Sequence, residues 1–264
     1  MKYKLIALDV DGTLLNDDYL LTEKTKYAVN RAHEAGAQIV LCTGRGPQNT
    51  LPLLTELGLE GVVITHNGAA TVQSNNQSLL HQVTFRAEEI KPFIEYCREQ
   101  QAHFALNSSF ELYVEVYNEA VKAIYDKFML EPIVTKDAVK LDIAMVKLSA
   151  FSEQTKMDQI EADWKAMESP LSIIRSGHRF IDIMHAEASK GHALRRLAED
   201  LGIEQAEIMA IGNYYNDSEM IVYAGLGIAM DNSPEPVKLQ ANAMTSSNNE
   251  DGVYQAIMKY CFSE

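Results

Sequence analysis

With 264 residues and 47% hydrophobic side chains, the chain can form one large domain or two around a real core. A formal net charge of −14 argues against a nucleic-acid binder, although a metal and a few local cations can still hold a small anion. Cys42, Cys97 and Cys261 form no C-x-x-C pair, and neither a leader nor an apolar run near ~18 residues is seen, so a reduced, cytoplasmic protein with no membrane partner is expected.

Leu5 to Leu8 is apolar at successive positions, the mark of a strand buried on both faces in a parallel sheet. It ends in Asp9-Val10-Asp11-Gly12-Thr13. Ligands of such sheets sit beyond the carboxyl ends of the strands, and two acids there suit a hard cation and a nucleophile. The same residue types also favour plain surface turns. Thr22 caps an expected helix to about Ala35, stopped by Gly36. Gln38 to Cys42 is a second buried strand, closed by Thr43-Gly44-Arg45, whose hydroxyl and neighbouring amides can donate to a phosphoryl oxygen. A helix from about Pro47 to Leu57 follows, and Pro52 should kink it or mark a late start. Gly61 to Thr65 is a third strand, ending in His66-Asn67-Gly68, and Val72 to Leu80 reads as a hairpin.

From about Val83 to about His185 no strand ends in a catalytic residue type. Helices are expected at Ala87–Gln100, Asn118–Phe128 and Glu153–Met167. Strands are expected around His103–Leu106, Leu112–Glu115, Ile143–Phe151, Leu171–Arg175 and Phe180–Met184. Val146, Leu148 and Ala150 alternate with Met145, Lys147 and Ser149, the period-two signature of a sheet with one solvated face.

Lys190 then opens a helix to Leu201 that Gly202 stops. A lysine at a helix N-terminus opposes the dipole unless an anion lies between them. Ile208 to Ile211 is another buried strand, ending in Gly212-Asn213-Tyr214-Tyr215-Asn216-Asp217. Helices at Ser218–Ala224, Pro234–Ala241 and Asp251–Tyr260 and a strand at Leu226–Ala229 complete an α/β pattern.

Four stretches, D-x-D-G-T-L from Asp9, Thr43-Gly44-Arg45, Lys190, and G-N-x-x-N-D from Gly212, stand in the order of the four motifs of the haloacid dehalogenase superfamily of phosphatases. The chain resembles that superfamily, and by the placement of its insertion the Cof-like branch. The fourth motif departs from the family's G-D-x-x-N-D, with Asn213 where the first acid belongs. The resemblance implies a doubly wound, Rossmann-like parallel-sheet core over 1–81 and 187–264, with an α+β cap domain inserted over 82–186.

By the same resemblance, Asp9 is the nucleophile, forming an aspartyl-phosphate, and Asp11 the general acid and base. Thr43, Asn216 and the amides around Val10 and Gly12 hold phosphoryl oxygens, Gly44 and Arg45 lie on the second phosphate loop, and Lys190 offsets the charge. Asn67 belongs to a substrate-side loop, and the cap residues Arg175, His178 and Arg179 are substrate candidates, although each can equally be a solvated residue. Mg²⁺ would be held by Asp9, Asp11 through its carbonyl, Asn213, and Asp217 directly or through water. The expected function is Mg²⁺-dependent hydrolysis of small phosphomonoesters, such as sugar phosphates or phosphorylated cofactors. Two alternatives share the scaffold: a phosphometabolite-binding protein with feeble turnover because of Asn213, and a phosphomutase.

Overall fold

The computed structural model of the chain describes residues 2–127 and 130–263. Its first sheet holds strands β1 (Leu5–Leu8), β2 (Gln38–Cys42), β3 (Val62–Thr65), β4 (Ala70–Gln73) and β5 (Leu79–Gln82). The second sheet follows with β6 (His103–Asn107), β7 (Leu112–Val114), β8 (Ile133–Val134), β9 (Lys147–Phe151), β10 (Leu171–Gly177) and β11 (Phe180–His185). The chain then returns to the first sheet with β12 (Ile208–Gly212), β13 (Leu226–Met230) and β14 (Ala243–Thr245).

The eight-stranded sheet runs β14-β13-β12-β1-β2-β3-β4-β5. Its strands from β14 to β3 pair in parallel, while β4 and β5 fold back antiparallel. Leu5 to Leu8 are all buried, yet they serve two layers. Ile6 and Leu8 pack with Ala28, Val29 and Ala32 of helix Glu23–Glu34 and with Val253, Ala256 and Ile257 of helix Gly252–Phe262. Leu5 and Ala7 pack on the other face with Leu194, Leu197 and Ala198 of helix Lys190–Leu201. Alternate side chains of a strand leave opposite faces, so helices on both sides demand a strand with no polar position. The connections diverge from the β1–β12 pair, β2 and β3 to one side and β13 and β14 to the other. A crevice opens at the carboxyl ends of such a pair.

The six-stranded sheet runs β10-β11-β9-β6-β7-β8. Phe104, Leu106, Leu148, Ala150, Ile181 and Ile183 pack beneath helices Ala87–Glu99 and Gln154–Lys165. Phe93 and Trp164 lock those two helices edge to face at 5.3 Å; truncating either ring costs about 3–5 kcal/mol.

Several expectations change. The face carrying Lys147 and Ser149 is not solvated: it looks towards the first sheet, and Lys147 is only 9% exposed. Strand β9 starts at Lys147 rather than Ile143, Met145 making an isolated bridge to Phe85. Helix Pro47–Glu56 begins at Pro47 and carries Pro52 inside it, so no late start occurs. The helix expected to end at Phe128 spans Glu119–Lys127, and Phe128 lies outside the described residues. Strands β8 and β14, with 2 and 3 residues, are too short to show a period and were not anticipated. Among the described residues no helix is long and apolar enough to cross a membrane.

Candidate active site

Asp9 follows the last residue of β1 and is 4% exposed. The turn after it is built on the main chain: Leu14 N donates to Asp9 O at 3.2 Å and Leu15 N to Val10 O at 3.0 Å, while the Val10 side chain joins the core. Gly12 holds φ +77, and a Cβ there would lie 2.4 Å from Asn213 Nδ2. Only glycine combines that backbone with so close an approach, so the first and fourth motifs touch at this residue.

Behind Asp9 lies a buried charge cluster. Lys190 Nζ donates to Asp9 Oδ1 at 2.7 Å and to Asp217 Oδ1 at 2.6 Å, with the lysine 0% exposed. The two carboxylates are the anions that the helix-end lysine required. Burial alone would push the ammonium down, but its partners hold it above the ordinary lysine value. Burial, then the Asp217 charge, push the Asp9 carboxyl up to about 7 against the pull of Lys190. Asp217 Oδ2 accepts from the amides of Asn213 and Tyr214, each at 2.9 Å. Both oxygens of Asp217 are thus engaged, one by Lys190 and one by the fourth-motif loop.

Asp11, Thr43, Gly44, Arg45, Asn67, Asn213 and Asn216 open with Asp9 on one cavity of about 530 Å³ between the two sheets. Thr43 Oγ1 accepts from Arg45 N at 3.1 Å and shapes the second loop. Arg45 grips Asp11 with two donors, Nε at 2.9 Å and Nη2 at 2.5 Å, a pairing across 34 positions that no local pattern announces. His66, Asn67 and Gly68 take φ values of +49, +55 and +97 in succession. Such runs are rare and persist where surroundings over-determine them. Here Gly68 meets the start of the Lys190 helix, where a Cβ would lie 2.1 Å from Ser189 O. The distortion aims Asn67 into the cavity, where it accepts from Asn216 Nδ2 at 2.9 Å and donates to Asp182 Oδ2 at 3.4 Å.

Sequence reading missed two cap residues. Lys147 reaches across to donate to Gly44 O at 2.9 Å, and Asp182, 4% exposed, accepts from Ser149 Oγ at 2.6 Å. The signal for Asp182 was a lone acid inside an otherwise apolar run of β11, whereas Lys147 opens β9 and carried no such mark. His178 lines the cavity. Arg179 pairs with Glu153 at 2.5 Å and lies over the Phe151 ring. Arg175 pairs with Asp158 and Glu161 and donates to the turn carbonyls of Gly177 and His178.

The donors fit a hard dication. Asp9 Oδ2 is buried without a hydrogen-bond partner, an acceptor that a cation would satisfy. Asn213 and Asp11 border the same cavity, and carboxylate, amide and carbonyl oxygens are the ligands Mg²⁺ prefers. No cluster of three or more His, Cys, Asp or Glu side chains able to hold a metal occurs among the described residues.

A family model for haloacid dehalogenase-like hydrolases matches residues 6–257. The chain is 36% identical over 262 residues to a Bacillus subtilis protein named "Putative phosphatase YxeH", with 97% of each chain covered. It is 28% identical over 254 residues to 5-amino-6-(5-phospho-D-ribitylamino)uracil phosphatase YcsE of the same organism, covering 96% of this chain and 94% of the relative. Among solved structures, a haloacid dehalogenase-like hydrolase from Bacteroides thetaiotaomicron superimposes with a TM-score of 0.87 at 27% identity, over 97% of this chain and 99% of that one. Motifs, doubly wound fold and full-length relatives converge: the chain belongs to the haloacid dehalogenase-like hydrolases, as a phosphoric monoester hydrolase.

Proposed function

We propose that the protein is a Mg²⁺-dependent phosphatase of small phosphomonoesters, sugar phosphates or phosphorylated cofactors, working through an aspartyl-phosphate on Asp9. The observation that carries this reading is the Asp9 carboxylate itself. One oxygen is held by Lys190, the other is buried and unpaired, and Asp9 lines the cavity at the β1–β12 switch point. Asp9 attacks phosphorus in line, and the bond from phosphorus to the ester oxygen breaks. Asp11 gives that oxygen a proton, then takes one from the water that hydrolyses the acyl phosphate. Arg45 must first release Asp11, and the arriving phosphoryl group offers the guanidinium a more highly charged partner. Thr43, Gly44 and the amides of the Val10–Gly12 turn receive the phosphoryl oxygens, with Asn216 and Asn67 beside them.

Bound Mg²⁺ supplies charge neutralisation at the phosphoryl group, and Asp9 Oδ2, the Asp11 carbonyl and the Asn213 amide oxygen would hold it. The second sheet, residues 82–186, acts as a cap whose Lys147 and Asp182 meet the core at Gly44 and Asn67, excluding water while the acyl phosphate exists. Asp9→Asn tests the reading, because an amide is a far poorer nucleophile. The variant is expected to stay folded by circular dichroism and to lose phosphate release. Near-parental turnover with Mg²⁺ would remove the mechanism.

A further inference from the structure

The cavity gathers its cations at one end. Lys190 stands behind Asp9, Arg45 grips Asp11, and Lys147 donates to Gly44 O in the second loop. All of these charges lie where the phosphoryl group is received. Among the described residues that line the cavity, Arg45 and Lys147 are the only lysine or arginine side chains. Arg175 and Arg179 are paired with Asp158, Glu161 and Glu153. His103 lines the cavity as well, and burial pushes its imidazole down, towards the neutral form.

One carboxylate lies further along the cap wall. Asp182 is paired by register with Ser149, two residues beyond Lys147 and so ~7 Å along β9. It is 4% exposed and lines the cavity. Its oxygens accept from neutral donors, Ser149 Oγ at 2.6 Å and Asn67 Nδ2 at 3.4 Å. Lys147 Nζ stands 3.9 Å from Oδ2, too far for a hydrogen bond, and donates to Gly44 O at 2.9 Å instead. The negative charge is thus held in place and only partly cancelled. A buried carboxylate is costly to keep, and in a cavity that takes anions it weakens the binding of any that comes near. Such a charge has a use where repelling the wrong ligand matters more than holding the right one.

We infer that Asp182 is a specificity-determining residue that turns away phosphate monoesters whose leaving group carries a second negative charge. The inference rests on the phosphatase reading and deepens it, from a class of ester to the charge of its alcohol. The phosphoryl group meets Arg45 and Lys147. A carboxylate or second phosphate on the leaving group meets Asp182, whose neighbouring ammonium is turned to Gly44. At an effective dielectric of ~20, two like charges ~7 Å apart oppose binding by about ten-fold or more. A hydroxyl in the same place donates to the Asp182 carboxylate and is accepted. The bisphosphate that a phosphomutase must hold is turned away by the same charge.

The test uses matched pairs in which a terminal CH₂OH becomes a carboxylate: sorbitol 6-phosphate against 6-phosphogluconate, and glycerol 3-phosphate against 3-phosphoglycerate. Assays with Mg²⁺ at about pH 8 keep exposed imidazoles neutral. The quantity read is the ratio of kcat/KM within a pair, or of Ki against acetyl phosphate hydrolysis where a pair is not turned over. The parent is expected to favour the uncharged member by about ten-fold or more. Asp182→Asn keeps the shape and removes the charge, and should shrink the ratio at least five-fold. Lys147→Met removes the ammonium beside Asp182 and should widen it at least two-fold. A ratio does not depend on how much of a variant is folded, and a merely structural role would not move the two variants in opposite directions. Equal handling of both members of each pair by the parent, failure to bind either included, overturns the inference while leaving a phosphatase. So does a ratio that Asp182→Asn leaves unchanged or that Lys147→Met does not widen. Loss of hydrolysis for every compound in the parent, acetyl phosphate included, overturns the phosphatase reading and this inference with it.

Discussion

The two walls of the cavity are built on opposite terms. On the core wall nearly every polar group is committed: Lys190 to Asp9 and Asp217, Asp217 to two amides, Asp11 to Arg45, Asn67 to Asn216. The backbone there is forced into left-handed conformations at Gly12 and from His66 to Gly68. On the cap wall the side chains stand on regular strands, and their spacing comes from register alone. Chemistry that must place a carboxylate within a few tenths of an ångström needs the first kind of wall. Substrate choice needs only a sheet face whose side chains can be exchanged without disturbing a fold. One wall is over-determined, the other substitutable.

If that contrast holds, the largest loss comes from the centre of the committed wall. Lys190→Ala leaves Asp9 and Asp217 buried side by side with no cation, so the pair is forced to keep a proton that a nucleophile cannot carry. Breaking a buried ion pair typically costs about 3–5 kcal/mol. Urea unfolding should show a loss of that order, together with loss of phosphate release. A variant with parental stability would mean that the core wall tolerates change as readily as the cap wall.

A second test uses pH. Burial, with the Lys147 ammonium adding to it, pushes His66 down to about 3, whereas in the unfolded chain it titrates near 6.5. Between those values the unfolded state binds more protons, so this residue's contribution is full above pH 6.5 and is lost as pH falls towards 3. At about 1.4 kcal/mol per unit, that amounts to up to ~3 kcal/mol by about pH 4. Asp9, with its raised pKa, works in the opposite direction over part of this range, so the comparison is made between the parent and His66→Asn. Asparagine accepts the left-handed backbone and does not titrate. Its acid limb should be flatter; parallel limbs would mean that the imidazole is not held neutral by the loop.

The same contrast explains what was legible beforehand. The parallel-sheet fold and the family were readable because apolar runs ending in Asp9, Thr43 and Gly212 are local signals, each contained in a few residues. The structure brings those strand ends, with Asp11, Arg45, Asn67 and Asn213, onto one cavity, and sets Lys190 directly behind Asp9. The Asp11–Arg45 pair and the inward turn of Lys147 were not readable. Alternation along β9 says that Lys147 and Leu148 leave opposite faces, but not which face has a second sheet over it. The Arg179–Glu153 pair was equally unreadable: a cation on a loop before a strand carries no local sign of its partner 26 positions away.

The smallest expected effect falls at the point where the committed wall lacks a charge. Asn213 borders the cavity, accepts from Thr13 Oγ1 at 3.3 Å and packs its amide nitrogen against Gly12. It caps neither the 3-10 turn Tyr215–Asp217, whose N-cap is Tyr214, nor the helix Ser218–Tyr223, whose N-cap is Asp217. Asn213→Asp therefore adds a formal charge to the cavity that Asp9 lines. At an effective dielectric of ~20 a close charge pair with a dication is worth several kcal/mol before desolvation. Repulsion from Asp9 and the cost of dehydrating a new carboxylate oppose most of that, leaving a net gain of about 1–2 kcal/mol. Mg²⁺ should then bind about ten-fold more tightly by calorimetry, and activity should rise at limiting metal but little at saturation. Superimposable Mg²⁺ titrations would mean that the cation does not touch position 213, and Asn213 would then belong with Gly12 and Thr13 as part of the turn.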